Sequence, residues 1–156
     1  MRITLAAVGR AKAGVARDLY EDYAARLHRG GLGPLVLKEV EERRPLPSNE
    51  LRRREAELLL AAAPRGARLV ALDAGGRALS SGEFAGLLRR WRDEGVQDVA
   101  FAIGGAEGLD RAVRDAAALV LSLGPMTWPH LLVRALLAEQ LYRAQSILAG
   151  HPYHRQ

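Results

Sequence analysis

The chain has no cysteine among its 156 residues, which removes disulfides, thiolate metal sites and cysteine nucleophiles. Aromatic residues make up only 5% of it, so any core must be filled mainly by aliphatic side chains. Lysine is almost missing: Lys12 and Lys38 are two of 23 basic residues, and the other 21 are arginine. No apolar run approaches the roughly 20 residues a membrane span requires. Met1-Arg2-Ile3-Thr4-Leu5 enters a strand-like pattern with no signal-peptide cleavage pattern. A cytoplasmic protein with no membrane partner is expected. Phosphate-loop motifs are missing too. There is no G-x-x-x-x-G-K-[ST], and Gly104-Gly105-x-x-Gly108 is not the dinucleotide spacing G-x-G-x-x-G. A nucleotide-binding hydrolase is therefore disfavoured. Spaced histidines and carboxylates for a metal are not found, nor is a nucleophile elbow G-x-S-x-G, so no metal is expected.

What is there is globular in composition, 49% hydrophobic and 26% charged, with a formal charge of +5. The length suits one domain, residues 1–156, with a sizeable core. Arginine grips phosphate in a bidentate way and stacks on bases, which suits RNA. A genome biased toward arginine codons explains the same excess, so charge permits nucleic acid without establishing it.

Apolar and polar spacing lays out the elements. Ile3 to Val8 reads as a buried strand closed by Gly9, and Val15 to His28 as a helix with Val15, Leu19, Tyr23 and Leu27 on one stripe. Leu35 to Val40 is a second strand. Ser48 is placed to cap a helix whose inner face is Leu51, Leu58 and Leu59. Arg68 to Asp73 is a third strand followed by a turn over Ala74 to Ala78, and Ser80 with Glu83 has capping-box spacing before another helix. Val99 to Ile103 and Ala118 to Leu123 are further strands, Asp110 opens a short helix, and a long helix spans His130 to Leu148. Strands alternating with helices predict an α/β domain, its mainly parallel sheet flanked by helices.

In parallel sheets ligands sit beyond the carboxyl ends of the strands. Three segments fall there: Leu72-Asp73-Ala74-Gly75-Gly76, Ile103 to Leu109, and Leu123-Gly124-Pro125-Met126-Thr127-Trp128-Pro129-His130. Glycines let a backbone approach a ligand closely. Pro125 and Pro129 donate no N–H, and a stiff loop bearing Met126 and Trp128 suits a flat adenine ring better than a triphosphate. A second group is C-terminal. Glu139 stands four residues before Arg143, the favourable order for a helix ion pair, and Tyr153, His154 and Arg155 form a polar, aromatic tail.

These segments resemble the bacterial RlmH family of small SPOUT methyltransferases along essentially the full length. The resemblance rests on Leu72-Asp73-x-x-Gly76, Phe101-x-Ile103-Gly104-Gly105-x-x-Gly108-Leu109 and Thr127-x-Pro129-His130-x-x-x-Arg134. Glu139-Gln140-x-Tyr142-Arg143-Ala144 and Pro152-Tyr153-His154-Arg155 complete it. It implies a C-terminal deep trefoil knot, a homodimer with the active site near the interface, and S-adenosylmethionine as methyl donor. The implied substrate is 23S ribosomal RNA in the ribosome or large subunit, methylated at N3 of a pseudouridine in helix 69. Leu72, Gly104, Gly105 and the loop Leu123, Gly124, Pro125, Met126, Thr127, Trp128 are then expected to hold the donor. His130, Arg143, Tyr153 and His154 are expected to face the target base, with Arg155, Arg10 and Arg2 on the RNA and the 52–54 arginine run as a further phosphate contact. For the implied reaction His154 is the candidate general base, since a histidine pKa of about 6.5 suits proton transfer near neutrality. Arg143 would stabilise charge on the uracil oxygens. The competing expectation is a non-catalytic RNA-binding or ribosome-assembly dimer, which binds RNA and leaves the methyl donor unused.

Overall fold

The computed structural model describes residues 1–27 and 30–155. Strands and helices alternate along it: β1 (Arg2–Val8), α1 (Val15–Leu27), β2 (Leu35–Val40), α2 (Ser48–Ala62), β3 (Arg68–Ala78), α3 (Ser81–Asp93), β4 (Asp98–Ile103), α4 (Arg111–Ala116), β5 (Leu119–Ser122) and α5 (His130–Leu148). The strands form one sheet in the order β2-β1-β4-β3-β5, with each neighbouring pair parallel. This is the expected α/β architecture.

Side-chain size decides which helices cover which face. Successive strand residues point to opposite sides. Ile3, Leu5, Val99, Phe101 and Ile103 therefore share one face, and they pack with α1, α3 and α5 in the larger core. Ala6, Ala71, Ala100 and Ala102 point the other way, where Ala56 and Leu59 of α2 and Val113 of α4 cover them. Small residues on this second face let α2 lie close to the sheet, and that matters for the site.

Several element ends follow from local chemistry. Ser80 accepts from the Glu83 amide and the Glu83 carboxylate accepts from the Ser80 amide, the capping box expected before α3. Asp110 caps α4 by accepting from Ala112 N–H at 2.9 Å. Ser48 does not cap α2: it is already the first helical residue, and Pro47 precedes it without a side-chain cap.

Three expectations are corrected by packing. The turn over Ala74 to Ala78 is instead the far half of β3, which continues to Ala78 through a register shift between Leu72 and Arg77. Gly76 is glycine for closeness rather than for turning, because a Cβ there would stand 2.5 Å from the Val120 carbonyl oxygen of β5. On α1 the buried positions are Tyr20 and Leu27, whereas Val15 is 84% and Leu19 39% exposed. The inner face is set by where α5 lies, which periodicity does not see. On α2 the buried set is Glu55, Ala56 and Leu59, while Leu51 and Leu58 are half-buried. His28, the expected last residue of α1, lies outside the described residues.

Candidate functional site

Beyond the carboxyl ends of β3, β4 and β5, next to the first turn of α5, the chain folds around a cavity. Of the nine residues expected to hold a cofactor, eight line it and Pro125 does not. Its walls are mostly aliphatic and backbone, with Leu72, Ile103, Leu109 and Leu121 beside the exposed Met126 and Trp128. Gly104 and Gly105 follow directly on β4. A Cβ on Gly104 would meet the Gly108 backbone at 2.9 Å, and one on Gly105 would meet Val8 at 3.0 Å. The turn between them is closed by Gly108 N–H donating to the Gly105 carbonyl at 3.0 Å, and Gly108 has φ +80°, a conformation glycine adopts without strain.

The loop after β5 is held by a residue that motif reading missed. The buried Ser122 hydroxyl lies 3.0 Å from the Ala74 carbonyl and 3.1 Å from that of Gly124, and it accepts from the Gly124 amide at 3.0 Å. One side chain thus ties the Leu123–Trp128 loop to β3. A serine at a strand end carries no distinctive sequence signal.

His130 is the first residue of α5, lines the cavity, and has its Nε2 beside Gly9. One turn later Arg134 is only 2% exposed. Its guanidinium donates to Glu39 at 2.7 Å and to the Val8 and Gly9 carbonyls at 3.2 and 2.9 Å. Glu39 also accepts from Ala11 N–H at 2.6 Å. Burial pushes the Glu39 carboxyl up, but the hydrogen bonds from Arg134 and Ala11 outweigh it and leave it below its ordinary range. Arg134 and Glu39 therefore fix the chain leaving β1 against α5, next to His130.

The other expected catalytic residues assemble at the far end of α5. Arg143 Nε donates to Glu139 at 2.9 Å, and its Nη1 lies 3.4 Å from His154 Nδ1. A guanidinium only donates, so Nδ1 is the accepting nitrogen and a neutral His154 ring carries its hydrogen on Nε2. Tyr153 O–H donates to Glu139 at 3.1 Å. With that hydrogen committed, Tyr23 O–H, 3.2 Å away, is the donor to Tyr153. Arg143 lies over the Tyr153 ring at 4.9 Å, and Tyr142 meets that ring edge-on at 4.7 Å. Burial, then the negative charge of Glu139 and the hydrogen bond to it, raise the Tyr153 phenol well above its ordinary range, so it stays neutral. Tyr23 was expected only as a helix-stripe residue and Glu139 only as an ion-pair partner; together they anchor the tail.

The two groups are separated along α5. The thirteen residue steps from His130 to Arg143 correspond to about 20 Å of helix. A hollow of about 410 Å³ spans part of the gap, running from Leu123, Gly124 and Trp128 to Glu139 and Gln140. A larger hollow of about 610 Å³ between α1 and α5 contains none of the expected site residues.

Of the arginines expected on RNA, Arg155 is exposed at the tail and Arg10 lies just past β1, within 3.5 Å of Glu41. Arg2 starts β1 at the opposite end of the sheet, bonded twice to Asp98 at 2.8 and 2.7 Å. In the 52–54 run, Arg54 is paired with Glu42 and Glu57, and Arg52 and Arg53 bond back to Asn49. Among the described residues no group of three or more metal-ligating side chains is found, and no helix is long and apolar enough to cross a membrane.

Comparison with known proteins adds a common thread. The family model described as "Predicted SPOUT methyltransferase" matches residues 1–154. The chain is 63% identical over 155 residues to the ribosomal RNA large subunit methyltransferase H of Paramagnetospirillum magneticum, with 99% of each chain covered. It is 62% identical over 156 residues to the protein of the same name from Rhodospirillum centenum, again with 99% of each covered. Among solved structures, a probable methyltransferase from Bordetella pertussis Tohama I matches at TM-score 0.54 and 22% identity, over 92% of this chain and 96% of that one. A probable methylase family protein from Haemophilus influenzae Rd KW20 matches at TM-score 0.53 and 14% identity, over 99% and 70%. At those identities the structures speak for the fold alone.

Proposed function

The chain belongs to the SPOUT methyltransferase family, and from that premise we propose that it methylates N3 of a pseudouridine in helix 69 of 23S ribosomal RNA, on the large subunit or the ribosome. The supporting observation is the pairing of a glycine-walled cavity with a polar tail cluster on a single helix. The relatives that match over 99% of their length, named ribosomal RNA large subunit methyltransferase H, support the choice of RNA.

The family's methyl donor is S-adenosylmethionine, and the residues present fit it. Aliphatic walls and the Trp128 ring suit the adenine, while the Gly104-Gly105 backbone, kept bare of side chains by close packing, suits its polar edges. When bound, this donor supplies an electrophilic methyl group on sulfur. The chain's own residues would do the rest. Leu72, Gly104, Gly105 and the Leu123–Trp128 loop hold the donor and exclude water, with Ser122 fixing the loop. His154 takes the N3 imino proton at Nδ1, the unprotonated nitrogen of its neutral ring, once Arg143 turns from it to the uracil oxygens. Arg143 is kept near the base by Glu139, and Tyr153 orients both through Glu139 and its own ring. His130 lies on the cavity side, where the methyl group is delivered.

The separation of about 20 Å along α5 favours a homodimer, in which the tail of one copy completes the cavity of the other. The exposed apolar Val15 and Leu19 of α1 are available for such a contact. A trefoil knot at the C-terminal half belongs to the same reading, supported by the match to the SPOUT methyltransferase family. The protein would act in the cytoplasm as one catalytic domain, with Arg155 and Arg10 on the RNA.

The test is a tritium-transfer assay with labelled S-adenosylmethionine on ribosomes lacking this methylation, followed by nucleoside mass spectrometry. Label recovered as N3-methylpseudouridine is the expected result. Donor binding without transfer to these ribosomes would move the substrate to another RNA. Absence of donor binding would leave the non-catalytic RNA-binding dimer.

A further inference from the structure

Among the described residues, three buried side-chain atoms lack a hydrogen-bond partner: Arg52 Nε, Glu55 Oε1 and Arg134 Nε. Both arginines bond through other nitrogens. Glu55 is different. It is a carboxyl, 7% exposed, on the α2 face that small sheet residues bring close to the strands. Its Oε1 has no donor, and its Oε2 lies 3.2 Å from where a Cβ on Gly105 would stand. Gly105 is also a wall of the donor cavity, so the carboxyl sits directly behind that wall.

A buried carboxyl without partners destabilises a fold, and natural proteins rarely keep one without a use for it. An aliphatic side chain would fill the same space between Val8 and Gly105 more favourably. The main chain it adjoins is the turn that runs on from Gly105. That turn's own bond uses the Gly108 amide and the Gly105 carbonyl, leaving the amides of Ala106 and Glu107 outside it. Burial, followed by the negative charge of Glu107, holds the Glu55 carboxyl above its ordinary range, as expected for a group still waiting for donors.

We infer that Glu55 is a positioning residue for the methyl donor: with the donor held, its carboxyl accepts the Ala106 and Glu107 amides and seats the Gly104–Gly108 turn against the cavity. The inference rests on the reading of the cavity as an S-adenosylmethionine site. It assigns Glu55 no contact with the donor and no part in the chemistry. Its distinguishing consequence is a pair of opposite signs. Removing the carboxyl relieves the ligand-free protein and weakens the ligand-bound one.

The experiment uses the full chain as wild type, Glu55→Leu and Glu55→Gln, with S-adenosylmethionine itself as the probe. Titration calorimetry gives Kd, thermal melting gives the stability of the ligand-free protein, and hydrogen exchange reads the 104–108 amides. Glu55→Leu is expected to melt at or above wild type yet bind about 10–100-fold more weakly, the span of a lost hydrogen bond to a charged acceptor. Glu55→Gln keeps an acceptor oxygen and should return Kd to within about threefold of wild type. The donor should slow exchange at Ala106 and Glu107 in wild type and fail to do so in Glu55→Leu. A Leu variant that melts lower and binds normally would overturn the inference and leave Glu55 as packing. Wild type that fails to bind S-adenosylmethionine would overturn it together with the functional reading beneath it; tight wild-type binding with unchanged variants would overturn it alone.

Discussion

The two ends of α5 are built from opposite materials. At its N-terminal end the cavity is made of glycines, aliphatic walls and main chain, and the ion pair of buried Arg134 with half-buried Glu39 braces the chain beside it. At its C-terminal end Arg143, Glu139, Tyr153, Tyr23 and His154 form a continuous polar chain between α1, α5 and the tail. The contrast fits a division of labour. A cofactor with a flat adenine ring is held by apolar walls and bare main chain, whereas a base that must lose a proton needs charge and donors at fixed places. If the division is real, substitutions at the two ends should damage different kinetic constants.

The largest effect belongs to the tail end. Arg143→Ala removes the charge closest to the proposed base, and loss of such a preorganised donor costs about 10²–10³ in kcat. Donor affinity measured by calorimetry should stay within about twofold, since Arg143 is no part of the cavity wall and its proposed partner is the target base rather than the donor. Collapse of donor binding in this variant would break the comparison, because the two ends would then act as one.

Next comes the cavity end. Gly104→Ala puts a Cβ 2.9 Å from the Gly108 backbone, which cannot rotate away as a side chain can. The turn must shift, and overpacking of about 1–3 kcal/mol corresponds to a donor Kd weakened about 10–100-fold. The tail cluster should be untouched, so binding of the RNA in a filter assay should match wild type. Unchanged donor affinity would show that the bare backbone of Gly104 is not what the cavity needs.

The two ends also differ in how far the sequence reveals them. The cavity was legible because local pattern marks its walls: β4 ends at Ile103 with Gly104 next, β5 ends at Ser122 with Gly124 two residues on, and α5 begins at His130 as its spacing implies. Its supports were not. Ser122, Arg134 with Glu39, and Glu55 act through partners 48, 95 and about 50 positions away, and nothing local marks such pairings. Gly75 and Gly76 misled for the same reason. Two glycines after a strand read as a turn, while what Gly76 answers to is the close approach of Val120 from a later strand. At the tail, Arg143, Tyr153 and His154 stood out as residue types, but the anchor Tyr23 lies 130 positions away on α1. Apolar periodicity alone would have left that tail frayed.

The smallest expected effect separates the ends by pH. Glu39 has a folded pKa below its ordinary value of about 4.3, with Arg134, Ala11 N–H and Arg10 acting on it. The stability it contributes is therefore full above that value and is lost as pH falls through the folded pKa. Tyr153 is the reverse. Its folded pKa is raised above about 10 by burial and by the charge and hydrogen bond of Glu139. Its contribution is full below that value and is lost as pH rises through the folded pKa. The acid arm of a Tm-against-pH curve thus belongs in part to the cavity end and the alkaline arm to the tail end. Glu42, drawn down to about 2 by hydrogen bonds from Arg44 and then Arg54, adds to the acid arm away from the site. The readout is therefore the difference between wild type and variant rather than the raw slope. Glu39→Gln should flatten only the acid arm and Tyr153→Phe only the alkaline arm. Each change should be worth on the order of 1 kcal/mol, or roughly 2–4 °C. A Tyr153→Phe curve that parallels wild type above pH 10 would mean the hydroxyl chain from Tyr23 to Glu139 does not hold the tail in solution. The tail end would then lose its claim to a fixed, charge-bearing site, and the contrast with the cavity would rest on Arg143 alone.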